Sequence, residues 1–159
     1  MPSYSEKAME YFNQGYNCSQ SVVAAFSDKL GIDLNTLLKL ASSFGGGMGR
    51  LREVCGAVSG MFMVAGLLYG YSDPKDVKAK ARHYSLIQDL ALQFKEQSGS
   101  IICRELLGLE KGSDKPVPDE RTKSYYAKRP CVQFVGMAAK IIEDLINKTE
   151  VNNENCNCM

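Results

Sequence analysis

The sequence predicts an all-α protein, a single-domain helical bundle of about five to seven helices around a central, glycine-rich, buried helix. Three observations predict it. Apolar residues recur at helical spacing along most of the 159 residues. Ser, Asn and Asp stand where such helices would start, and Gly where they would stop. No stretch alternates polar with apolar residues or carries an Asn-Gly hairpin turn. Residues 1–147 are assigned to the one domain and residues 148–159 to a polar C-terminal tail, expected to be mobile.

Each element has its own signals. Ser3 with Glu6 makes a capping box for a first helix that ends at Gly15. Asn17 caps a second helix, with Val22, Val23 and Phe26 apolar, that ends at Gly31. Asp33 opens a third through Leu34, Leu37, Leu38, Ala41 and Phe44, stopped by Gly45, Gly46 and Gly47. The central helix is placed from about Glu53 to Tyr69; it is uncharged, and Gly56 and Gly60 lie on one face, where a neighbour can approach closely. Ser72 and Asp73 before Pro74 announce the longest helix, with Val77, Ala81, Tyr84, Gln88, Ala91 and Phe94 on its inner face. Ser100 caps a short helix containing Cys103 and closed by Gly108. A polar loop from Glu110 to Glu120 follows. Pro130 then starts the last helix, with Val132, Val135, Met137, Ala138, Ile141, Ile142 and Leu145.

Composition narrows the functional classes. An apolar fraction of 45% and a charged fraction of 23% are those of an ordinary globular protein, long enough to bury a core without disulfides. A net charge of +1 provides no bulk field to gather nucleic acid or anionic lipid, so no nucleic-acid partner is expected. The uncharged run from Val54 to Tyr71 is short and too rich in glycine to cross a bilayer, so no membrane span is expected either. Glu6 and Glu10 stand where a signal peptide needs an apolar run. A cytoplasmic location is expected, where thiols stay reduced unless they are catalytic, sensing or metal-bound.

The chain has six cysteines. Cys18, Cys55, Cys103 and Cys131 are too far apart for any two to chelate from one loop, yet each follows a helix-start signal or a glycine cluster. A thiol at a helix N-terminus feels the positive end of the macrodipole and unpaired N–H groups, which favour the thiolate. Any one of them read alone is a small buried hydrophobe. The four together point to a fold that gathers reactive sulfur. Arg50 and Arg52 precede Cys55, and Arg129 precedes Cys131, so these two are the expected attackers, with Cys18 or Cys103 resolving. No Cys-x-x-Cys exists, which excludes a thioredoxin-like assignment.

Four segments carry a family resemblance: GYNCSQSVVAAF around Cys18, SFGGGMGRLREVCGAVSG ending in the CGAVSG of Cys55 through Gly60, FKEQSGSIICRELLG around Cys103, and RPCVQFVGMAAKI around Cys131. With these the chain resembles the C_GCAxxG_C_C family of redox-active proteins over nearly its whole length. The label writes glycine before cysteine, whereas here Val54 precedes Cys55 and Gly56 follows. Cys156 and Cys158 fall outside the pattern. The resemblance implies a redox role and, because members are often encoded near transporter genes, a link to a transporter system.

The preferred expectation is dithiol/disulfide chemistry at Cys18, Cys55, Cys103 and Cys131, served by an external redox partner and needing no cofactor. A second is that the same four thiolates hold zinc or an iron–sulfur cluster; against it, structural zinc sites draw ligand pairs two to four residues apart. A third is a non-catalytic scaffold or partner-binding bundle, docking through Lys75, Lys78, Lys80 and Lys95, although such a run is more often a solvated face. Gly45 through Arg50 lacks the strand, the Lys-Ser/Thr ending and the acidic partner of a phosphate cradle. His83, the one histidine, is read as packing or surface. Cys156 and Cys158 form a Cys-x-Cys on the tail, either an electron shuttle or incidental.

Overall fold

The computed structural model describes residues 1–110 and 112–156. Among them the helices are α1 (Tyr4–Asn13), α2 (Cys18–Ala25), α3 (Ser27–Leu30), α4 (Leu34–Ala41), α5 (Gly56–Tyr69), α6 (Val77–Ser98), α7 (Cys103–Leu106), α8 (Lys123–Lys128) and α9 (Cys131–Cys156). Gly45–Met48 coils through one turn, but Gly46 and Gly47 are left-handed (φ 67° and 70°), so it is a loop and not a further helix. The fold is all-α. No helix is long and apolar enough among the described residues to cross a membrane.

Caps fix the first helices where the sequence places them. The Ser3 hydroxyl accepts from Glu6 N–H while the Glu6 carboxylate accepts from Ser3 N–H. Asn17 and Gln20 make the same reciprocal pair at α2, and Asp33 accepts from Thr36 N–H at α4. Each pair satisfies donors that a helix start leaves without partners.

The core forms where α2 and α5 cross. Helix α5 packs on α2, α6 and α9, and α1 packs on α2 and α9. Val22, Val23, Phe26, Val58, Met61, Val64, Phe94, Val135 and Ile142 are all buried between them. Gly56 and Gly60 make the crossing possible: a Cβ on Gly56 would lie 3.1 Å from Cys18 Cβ, and one on Gly60 would lie 2.9 Å from Ser19 O. Only a side-chain-free face admits the α2 backbone this closely. That contact seats the start of α2 against the start of α5.

Several expectations are corrected. Helix α5 begins at Gly56 and not near Glu53, because Cys55 N–H donates to Ile101 O at 2.8 Å and Cys103 N–H to Glu53 O at 2.6 Å. These bonds, with the antiparallel Val54–Ile102 bridge, hold residues 53–55 extended. Helix α6 starts at Val77 under an Asp76 cap and, at 22 residues, is shorter than the 26-residue α9. Its inner face is also displaced: Leu86, Ile87, Leu90 and Phe94 pack inward, whereas Val77 and Tyr84 are exposed. Residues 148–156, expected as a tail, continue α9, where Lys29 pairs with Glu150 at 3.3 Å and residues 151–155 are exposed. Helix α8, capped by Thr122, was not expected.

Candidate functional site

Cys18, Cys103 and Cys131 are the first residues of α2, α7 and α9, and Cys55 is the N-cap of α5. All four are free thiols, and all four line one cavity of about 400 Å³. Cys55, Cys103 and Cys131 are buried and Cys18 is half-buried. Each reaches the cavity by its own route. Cys18 comes in on the Gly56 and Gly60 crossing, Cys55 and Cys103 are tied to each other through the extended bridge, and Cys131 comes in on α9. Cys156 closes α9, and Cys158 lies outside the described residues.

The loop between α4 and α5 forms one wall. Met48, Arg50 and Arg52 all have left-handed backbone (φ 66°, 68° and 59°), a conformation that costs a side-chain-bearing residue about 1 kcal/mol or more. The reversal turns Arg52 away from Cys55, its neighbour in sequence, and toward Cys103: Arg52 Nη1 donates to Cys103 Sγ at 3.6 Å. Its Nε donates to Asp114 Oδ2 at 2.7 Å. Arg50 donates to Lys115 O at 2.7 Å and to Asp119 Oδ2 at 3.3 Å. Asp119 also accepts from Arg129 Nη2 at 2.8 Å.

The polar segment before α8 completes the opposite wall. Arg121 donates to Phe12 O and Tyr16 O at the C-terminal end of α1, where a cation complements the macrodipole. Its guanidinium stacks over Phe12 at 4.3 Å and Tyr125 at 4.9 Å. Asp114, Asp119, Arg121 and Tyr125 were not singled out from sequence. The signal that could have found the last three was Thr122, an N-cap residue three positions before Tyr125.

This environment separates the four thiols. A hydrogen bond from Cys18 pulls the Cys131 thiol down to about 7, with help from the nearby Arg129, Arg121 and Arg52 and against the effect of burial. Cys18, the donor in that pair, is held well above the ordinary thiol range by the same bond and by burial. Burial pushes Cys55 up to about 12, although N–H groups of Ala57 and Val58 at the helix start oppose it. Burial also raises Cys103, against the opposing pull of Arg52. Of the two cysteines expected to attack, Cys131 has arginines acting on it and Cys55 has none among the causes of its shift.

The arrangement yields a prediction. The thiolate fraction of Cys131 rises through pH 7 while the other three remain protonated, so iodoacetamide modifies Cys131 first. Its rate climbs with pH and levels off above about pH 8, one unit past the half-ionised point. Peptide mapping across pH 5–9 checks this. Preferential labelling of Cys55, or one common profile for all four, would contradict the assignment.

Among the described residues, no three of His, Cys, Asp and Glu are grouped closely enough to hold a metal ion. The four thiols share a cavity without forming a ligand cage.

A helical fold that draws four reduced thiols from distant segments into one arginine-lined cavity defines a class of small cysteine-cluster proteins. The family described as "Putative redox-active protein (C_GCAxxG_C_C)" matches residues 16–145, a span that contains all four cysteines, and the chain belongs to that family. No curated protein and no solved structure matches the chain.

Proposed function

We propose that this protein is a thiol oxidoreductase in which Cys131 is the attacking thiolate and Cys18 the resolving thiol. The observation that carries this reading is the placement of Cys18 and Cys131 in one cavity at the first residues of α2 and α9, where the interaction between the two thiols lowers Cys131 and raises Cys18. A nucleophile works best with a pKa near ambient pH, and its resolving partner must stand within reach.

The chemistry runs in two exchanges. The Cys131 thiolate attacks one sulfur of a substrate disulfide; that S–S bond breaks, one substrate thiolate leaves, and Cys131 is held as a mixed disulfide. Cys18 gives its proton to the departing thiolate and attacks Cys131 Sγ, which expels the second substrate thiolate. A Cys18–Cys131 disulfide remains, and two electrons have passed to the substrate. An external dithiol reductant returns the pair to its starting state.

Cys103 and Cys55 lie in the same cavity as buried, protonated thiols. Cys103 is held by Arg52 and becomes more nucleophilic only if its surroundings open. A partner associated with a transporter fits the reading as the source or acceptor of electrons.

The test is a thiol count with metal analysis on anaerobically purified protein, before and after mild oxidation. Loss of two thiols, mapped as a Cys18–Cys131 disulfide in metal-free protein, is the expected result. Four protected thiols with stoichiometric zinc or iron would replace this reading with a metal site.

A further inference from the structure

The wall of the cavity carries more positive charge than the chain neutralises. Four arginines line it, Arg50, Arg52, Arg121 and Arg129, against one lining carboxylate, Asp119. Asp114 adds a second carboxylate to the ion pairs of Arg50 and Arg52. Arg121 donates to carbonyls and has no carboxylate partner among the described residues. Arg52 is only 3% exposed, and its Nη2 is buried with no hydrogen-bond partner, while its other nitrogens bind Cys103 and Asp114.

A buried charged donor without an acceptor is expensive, and native proteins rarely keep one without a use. Beside the thiols, the glycines and the amides of Asn17 and Gln20, the lining includes an apolar set: Leu106, Leu107, Pro116, Pro118, Tyr125 and Phe134. A pocket of this kind fits a small molecule with an apolar body and one anionic group. The group that best answers the one unpartnered Arg52 nitrogen, with further guanidinium groups beside it, is a carboxylate or a similar oxyanion.

We infer that the cavity selects small anionic disulfides, seating a carboxylate or equivalent oxyanion on Arg52 and the cationic wall while the disulfide faces Cys131. This rests on the proposed Cys131–Cys18 couple and adds the substrate class to it. The anion also offsets part of the wall's positive charge as it binds.

The test compares a dianionic aromatic disulfide, 5,5′-dithiobis(2-nitrobenzoate), with the neutral 2,2′-dithiodipyridine. Rates of Cys18–Cys131 disulfide formation are each divided by the rate of the same reagent with N-acetylcysteine amide, which removes intrinsic reactivity. The normalised preference for the anionic reagent is expected to be about 10-fold or more, the discrimination of one charge-assisted contact. Arg52→Met should reduce it to near unity. Because Arg52 also braces the loop and that variant could misfold, the unaltered chain supplies a second measurement. Sodium sulfate should slow the anionic reagent and spare the neutral one, relative to sodium chloride at equal ionic strength. Equal normalised rates, or equal slowing of both reagents by sulfate, would overturn the inference. If neither reagent closes the Cys18–Cys131 disulfide, the couple itself fails. The anion seat is then still read from iodoacetate against iodoacetamide at Cys131: a matching preference for iodoacetate supports it, and none overturns it.

Discussion

Replacing Cys131 with serine should abolish oxidation of the cysteine pair and slow thiol attack on a neutral disulfide at pH 7 by about two orders of magnitude. The size is that of the step from Cys131 to a thiol held as Cys55 is. At pH 7 a group with a pKa of about 7 is half ionised, whereas a thiol held at about 12, like Cys55, is ionised on the order of one part in 10⁵. Greater intrinsic nucleophilicity of the more basic thiolate recovers part of that deficit, with a Brønsted slope of about 0.4–0.5, and leaves a loss of a few hundred-fold. Cys18→Ser has a different signature: Cys131 still attacks, but nothing resolves the product, so the mixed disulfide accumulates. Stopped-flow rates with intact-mass analysis separate the two. If Cys131→Ser retained most of the rate and still lost thiols in pairs, another cysteine would be the nucleophile.

Two glycine substitutions should move stability in opposite directions. Gly47→Ala is expected to cost about 2–4 kcal/mol. Gly47 has φ +70°, and a Cβ there would fall 2.6 Å from Cys103 Cβ and 2.9 Å from both Arg52 Cα and Glu53 N. Left-handed alanine costs about 1 kcal/mol, and overpacking against backbone adds roughly 1–3 kcal/mol. Gly66→Ala, inside α5, meets nothing within 4 Å and should stabilise by about 0.5–1 kcal/mol through helix propensity alone. Urea unfolding measures both. An unchanged midpoint for Gly47→Ala would mean that the loop yields and that Cys103 is not fixed by it. The cysteine-labelling pattern of that variant would then show no change.

Much of this fold was legible because its signals are local. Ser3, Asn17 and Asp33 announce helix starts through short-range hydrogen bonds, and the small face of Gly56 and Gly60 announces a close crossing before its partner is known. Helix α6 was harder. It has apolar residues around much of its circumference, from Tyr84 to Phe94, so several stripes fit the helical period and only the packed neighbours choose Leu86, Ile87, Leu90 and Phe94. The four cysteines were visible as a set because each follows a helix-start signal or a glycine cluster. Their chemical ranking was not. Arg52 stands three residues before Cys55 but reaches Cys103, because the left-handed turns at Arg50 and Arg52 reverse the chain. The cationic wall was hidden too, since Arg121, Asp114 and Asp119 read in sequence as an ordinary polar loop. Three-dimensional convergence of charge leaves no periodicity to find.

The chain distance between the first turn of α2 and the first turn of α9 bears on the potential of the proposed couple. In the proposed couple, a bond from Cys18 to Cys131 closes a loop of more than a hundred residues. Closing so long a loop costs roughly 4–5 kcal/mol in an unfolded chain, and the native bundle has already met that cost. By thermodynamic linkage the folded state favours the disulfide by the same amount, on the order of 100 mV toward more reducing potentials. Stabilising the Cys131 thiolate works the other way, but half ionisation at pH 7 contributes only about 0.4 kcal/mol. In the proposed couple chain topology outweighs acidity, which favours the reduced pair as an electron donor.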